Sequence, residues 1–177
     1  MAEDVKHRTL RYLQDAHAAQ VGIEEALGSY KEDTDDAGLK ALFDGLATQT
    51  RSQAQRIEAQ IKALGGDTSG GKNFFNSILA KASELMNSGH DDYDKNTQNL
   101  IKAYTAAHGN RGLYESLIAW STAIGDAQST ELGRQLQQEN VSSAEQIFPH
   151  IARYAQTALA GTVGATTTTT TSPGYVN

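Results

Sequence analysis

Leu39, Leu42, Leu46, Gln49, Gln53, Ile57, Ile61 and Leu64 follow one another at intervals of three or four residues. That spacing places them on one face of an α-helix, because about 3.6 residues complete a turn. A second track runs through Leu10, Leu13, His17, Gln20, Glu24 and Leu27. A third runs through Leu100, Ala103, Ala107, Asn110, Tyr114 and Leu117, and a fourth carries Leu136 and Ile147. No segment before residue 160 alternates apolar and polar side chains as a half-buried strand would. The pattern therefore predicts an all-α protein, and four long helices with short connections predict an antiparallel four-helix bundle.

The breaks set the boundaries. The first helix is expected over 4–30, ending before "KEDTDDAG", where Asp33, Thr34 and Asp35 offer N-caps. The second is expected over 36–64, closed by Gly65-Gly66. A short extra helix over 72–87, with Phe74, Phe75, Ile78, Leu79, Leu85 and Met86, is expected between the second and third. The third long helix spans 92–124 and stops at Gly125; the fourth starts near Asp126 or Ser129 and reaches about Leu159. Pro149 falls inside it and is expected to kink it, having no N–H to donate. Gly22, Gly45, Gly109, Gly112 and Gly133 lie inside helices, each at a cost of about 1 kcal/mol relative to alanine. Close helix approach, within the bundle or between subunits, is the expected return, with "GNRG" the densest case.

Residues 1–160 thus read as one helical bundle, and 161–177 as a Thr-rich extended tail. Such a tail is ordinarily disordered unless something holds it. Strand addition to, or groove filling on, a neighbouring copy would do so. Thr162, Val163, Thr166, Thr171, Pro173, Tyr175 and Val176 are the residues expected to make that contact.

Composition removes several classes of function. There is no cysteine, so disulfides, thiolate metal sites and cysteine nucleophiles are excluded. A net charge of −6 without a basic block argues against nucleic acid, whose phosphates need clustered Lys and Arg. No apolar run is long enough for a transmembrane segment. "MAEDVKHRTLRYLQDAH" has no apolar signal core, which points to a cytoplasmic protein; a filament subunit exported by a non-classical route would be extracellular. "GDTSGGKN" imitates a phosphate-binding loop, but it follows a helix and lacks the Mg²⁺-binding hydroxyl. "DYDKN" imitates the start of a calcium loop without its glycine or its closing glutamate.

The middle of each helical track is polar. His17, Gln20 and Glu24 sit between Leu13 and Leu27; Gln49 and Gln53 between Leu46 and Ile57; Asn110 centrally in the third track; Glu139 between Leu136 and Ile147. If the helices align at mid-height, these seven groups form one network.

The chain resembles the YciE/YciF-type ferritin-like proteins, a stress-associated bacterial family with a four-helix, potentially dimetal architecture. The resemblance covers roughly residues 8–159 and rests on "LQDAHAAQVGIEEAL", "TQTRSQAQRIEAQIKALGG", "FFNSILAKASELMN", "YESLIAWSTAIGD" and "LQQENVSSAEQI". It implies a metal-ligand glutamate at the positions of Gln20 and Gln49, and a carboxylate or histidine pattern near Ala107 and Asn110. Only Glu139, in a register uncertain by about one residue, keeps a carboxylate. A ferritin-type dimetal site takes a Glu from each of two helices and Glu-x-x-His pairs from the others. Amides supply oxygen but no negative charge.

The glutamines therefore read as neutral replacements in a lost metal site. The expectation is a non-catalytic, self-assembling structural protein, a homo-oligomer or filament subunit with no cofactor. The alternative is a metal-binding oxidase or iron-handling protein with di-iron or another divalent metal at Gln20, Gln49, His108 and Glu139.

Overall fold

The structure is a computed structural model that describes residues 2–69 and 94–168. It contains helices α1 (Ala2–Asp33), α2 (Ala37–Ala63), α3 (Lys95–Ile124) and α4 (Ala127–Thr168). No strand occurs among the described residues.

Local chemistry sets the helix ends. The Asp36 side chain accepts from Leu39 N at 2.9 Å and caps α2. At the other end Gly65 adopts φ +71°. Gly66 N–H donates to Ile61 O and Gly65 N–H to Lys62 O, which closes the helix with paired reverse bonds. The same device ends α3: Gly125 has φ +76°, and Gly125 and Asp126 N–H donate back to Thr122 and Ser121. Asp126 then caps α4 by accepting from Ser129 N at 3.0 Å. One glycine and one aspartate thus make the whole α3–α4 turn.

The contacts at each end give the topology. Gly66, after α2, lies against Leu10 near the start of α1. Trp120, late in α3, donates to Thr9 at that same end. Asp33, ending α1, pairs with Lys95, starting α3, at 3.1 Å at the opposite end. Helices α2 and α3 therefore run the same way, so the chain leaves α2 at one end of the bundle and enters α3 at the other. A single long crossover of this kind is the ferritin-like arrangement. Helix α1 packs on α2 and α3, and α4 packs on the same two, so every packed pair is antiparallel.

Two apolar clusters fill the interior. One gathers Leu27, Leu39, Phe43, Leu46, Leu100 and Ile147. The other gathers Leu13, Ile57, Ile61, Tyr114, Leu117 and Leu136.

Two expectations change. Residues 161–168 are helical, not extended, because α4 continues to Thr168. Propagating an existing helix is cheap compared with starting one, and no proline intervenes before Pro173. Thr162, Val163 and Thr166 therefore have helical backbone, whereas Thr171, Pro173, Tyr175 and Val176 lie outside the described residues. The glycines also differ from expectation. A Cβ at Gly133 would lie 2.8 Å from Ile118, so α3 and α4 do approach closely there. Gly45, Gly109 and Gly112 meet nothing within 4 Å, so none serves close packing inside the bundle. The expected helix over 72–87 lies outside the described residues. Helix α4 runs through Pro149.

Candidate functional site

Between the two apolar clusters every helix contributes polar side chains at one level. Gln20 comes from α1, Thr50 and Gln53 from α2, Asn110 from α3, and Asn140 and Ser143 from α4; all are buried. Their positions follow from helical periodicity. Gln20 lies one turn after Ala16, and Asn110 one turn after Ala107; both alanines are themselves buried.

The layer has a tyrosine at its heart. Tyr114 is fully buried. The Gln20 amide donates to its hydroxyl across the bundle. Burial pushes the Tyr114 phenol above its ordinary pKa, and the nearby Glu139 carboxylate acts in the same direction; hydrogen bonds from Gln20 and Asn140 oppose them. The phenol is therefore neutral at any physiological pH.

Glu139 sits at the rim, about one-third exposed. Gln53 donates to Glu139 Oε2 at 2.9 Å, and Arg56 Nη2 approaches the same oxygen at 2.5 Å. The single carboxylate beside the layer thus already has a cation. Gln49, half-buried, donates to Glu139 O at 3.5 Å, and its own side-chain oxygen accepts from Ser143 at 3.4 Å.

A cavity of about 20 Å³ lies beside this network. Its polar wall is Gln20, Thr50, Asn110, Asn140 and Ser143; Ile23, Leu46, Ala107 and Ile147 are part of its apolar wall. Asn110 Nδ2 is buried and makes no hydrogen bond.

Of the seven residues expected to form the network, the structure gathers five at this level: Gln20, Gln49, Gln53, Asn110 and Glu139. Two point elsewhere. Glu24 pairs with Arg51 at 2.7 Å across the α1–α2 surface. His17 lies near Glu58 of α2, outside the cavity wall. His108 stacks edge-on with Tyr104, ring centroids 4.5 Å apart, and does not line the cavity. Of the alternative ligand set, Gln20, Gln49 and Glu139 thus lie at this level, and His108 stands apart from the cavity.

Tyr114, Arg56 and Asn140 lie outside the seven expected residues. Tyr114 stands on the third track, one turn after Asn110. Arg56 follows Gln49 and Gln53 at helical intervals of four and three residues, the signal that would have found it.

The donor chemistry of the layer does not fit a pair of divalent cations. Its side chains are amides, hydroxyls and a neutral phenol, and its one carboxylate is compensated by Arg56. Among the described residues, no group of three or more His, Cys, Asp or Glu side chains could hold a metal ion.

The fold and this layer define the class: a ferritin-like four-helix bundle with an amide-rich centre. The chain belongs to the family described as a domain of unknown function, DUF892, whose pattern matches residues 6–160. Solved structures agree on the fold. YcfI of Rhodopseudomonas palustris, provisionally described as a structural protein, superposes with a TM-score of 0.69 at 20% identity, covering 81% of this chain and 92% of its own. The Escherichia coli stress protein YciF gives 0.70 at 14% identity, covering 86% and 97%. A two-domain Anabaena variabilis protein with DJ-1/ThiJ/PfpI-like and ferritin-like domains gives a TM-score of 0.60 at 20% identity, covering 97% of this chain and 41% of its own. The YciF-type resemblance carried by the helix motifs is thus matched by fold and family. No curated protein matches in sequence. No helix among the described residues is long and apolar enough to cross a membrane.

Proposed function

We propose that this protein is a non-catalytic, stress-associated structural protein that assembles with copies of itself and has given up ferritin-type metal chemistry. One observation carries the reading: the mid-bundle layer is furnished with neutral groups, and its rim carboxylate is held by Arg56. Two divalent cations bring four positive charges, and burying charge without compensation is prohibitive. Ligand charge is what gives oxygen sites their affinity, and amides contribute none.

The C-terminal part of α4 supports the assembly half of the proposal. Tyr154 lies beside Asp36 at the end of the bundle, yet the helix continues to Thr168. Those further residues extend it by roughly 20 Å at 1.5 Å per residue. No residue from Ala155 to Gly161 is buried, and Leu159 is 65% exposed. An apolar residue on a helix that outruns its own bundle is suited to contact with a second copy. The provisional structural description of YcfI and the stress description of YciF point the same way.

The test is elemental analysis and electron microscopy of one preparation, for the full chain and for a chain lacking residues 161–177. The expected result is no stoichiometric divalent metal in either, with concentration-dependent assembly in the full chain alone. Two transition-metal atoms per chain at mid-bundle would overturn the loss of metal chemistry. Monomers at all concentrations would overturn the assembly role.

A further inference from the structure

The interior cavity offers a more specific conclusion, which rests on reading the bundle centre as metal-free. We infer that the cavity is a binding site for a water molecule, held by Asn110 of α3 and bonded to acceptors of the neighbouring helices.

Size is the first argument. A cavity needs about 10–15 Å³ of this kind of space to take a water. The observed value of about 20 Å³ is enough to admit one.

Chemistry is the second. Asn110 is 4% exposed, and its Nδ2 donor has no partner. A buried, unmade hydrogen bond of this sort is costly, and native interiors seldom leave one. An occupant that accepts a hydrogen bond satisfies this donor. An anion would accept, but it would lie buried without a counter-charge, since Arg56 is already paired with Glu139. An apolar guest would leave Nδ2 unmatched. Water is neutral, accepts from Nδ2, and has two protons to give.

Acceptors for those protons are present. The Thr50 hydroxyl donates to Leu46 O at 2.8 Å and keeps its lone pairs. Ser143 likewise donates to Glu139 O at 3.1 Å. The Gln20 amide nitrogen is committed to Tyr114, leaving its side-chain oxygen. The three come from α2, α4 and α1, while Asn110 is on α3, so the two protons of one water tie α3 to two of the other helices at a time.

A high-resolution crystal structure of the full chain, with a second crystal pressurised under xenon, tests this. The expected result is one water within hydrogen-bond distance of Asn110 Nδ2 in the first and no xenon in the cavity of the second. A dry cavity that takes xenon would overturn the water site and leave the metal-free reading intact. So would a chloride, recognised by its anomalous signal. A transition metal there would overturn both. Asn110→Leu gives a second readout: its crystal structure should show the cavity filled and the water gone. Persistence of the water in Asn110→Leu would overturn Asn110 as its holder.

Discussion

Tyr114 is where burial and hydrogen bonding act most strongly on one side chain. Its hydroxyl takes hydrogen bonds from the buried amides of Gln20 and Asn140. Tyr114→Phe keeps the ring but strands those donors. An unsatisfied buried polar group costs about 1–3 kcal/mol. Tyr114→Phe should therefore lower urea-unfolding stability by about 2 kcal/mol; an unchanged midpoint would mean the amides find other partners. The raised pKa has a pH consequence with a definite sign. The folded state holds the proton more tightly than the unfolded chain, whose tyrosines ionise near pH 10. The contribution is complete below that pH and is lost as pH rises from there through the higher folded value. An alkaline titration followed by phenolate absorbance should show Tyr114 ionising only as helicity is lost.

At the level of the elements, caps and glycines make the cleanest predictions. Asp36 caps α2 through Leu39 N and also accepts from Tyr154 of α4. The backbone bond to Leu39, then the Tyr154 hydroxyl, holds its carboxyl below the usual range. Its contribution is present above about pH 4, the unfolded carboxyl value, and fades as pH falls through the lower folded one. Asp36→Ala should cost about 1 kcal/mol at neutral pH, and the gap from the parent chain should shrink in acid. A gap that stays constant down to acid unfolding would argue against the cap. Two helical glycines should respond oppositely to alanine. Gly112 faces open space, so Gly112→Ala should stabilise by about 0.5–1 kcal/mol. At Gly133 the new methyl would lie 2.8 Å from Ile118 Cγ1. Overpacking of that kind costs about 1–3 kcal/mol, more than the gain in helix propensity. Thermal unfolding of the two variants should therefore shift in opposite directions.

For the molecule as a whole, stability and assembly should separate. The two apolar clusters reach no further along α4 than Tyr154. A chain ending at residue 160 should keep the thermal midpoint of the full chain at concentrations where both are dispersed. A lowered midpoint would mean the last turns pack on the bundle and are not an outward arm. The polar layer has a matching role. It interrupts a core that would otherwise be continuous, and buried polar groups that must all be satisfied favour one alignment of four similar helices over slipped ones.

Local signals in the chain specify the four long helices, the stops of α2 and α3 and the existence of a polar level between apolar ones. Helical spacing, Gly65-Gly66 and Gly125-Asp126 are local signals, each acting within a few residues of chain, whereas the cap of α2 is Asp36 and not Asp33, Thr34 or Asp35. The sequence also determined that the centre is poor in acid, because Gln20, Gln49 and Gln53 stand on the apolar faces. Which side of each polar stripe turns inward was decided only by tertiary packing. One residue rotates a side chain by about 100° around a helix axis, so Asn140 faces the cavity while Glu139 meets Arg56 at the rim. The same rotation sends Glu24 to Arg51 and leaves Gln20 beneath Tyr114. Periodicity cannot resolve such neighbours, because a helix face is broad and its exact orientation is set by the helices packed against it.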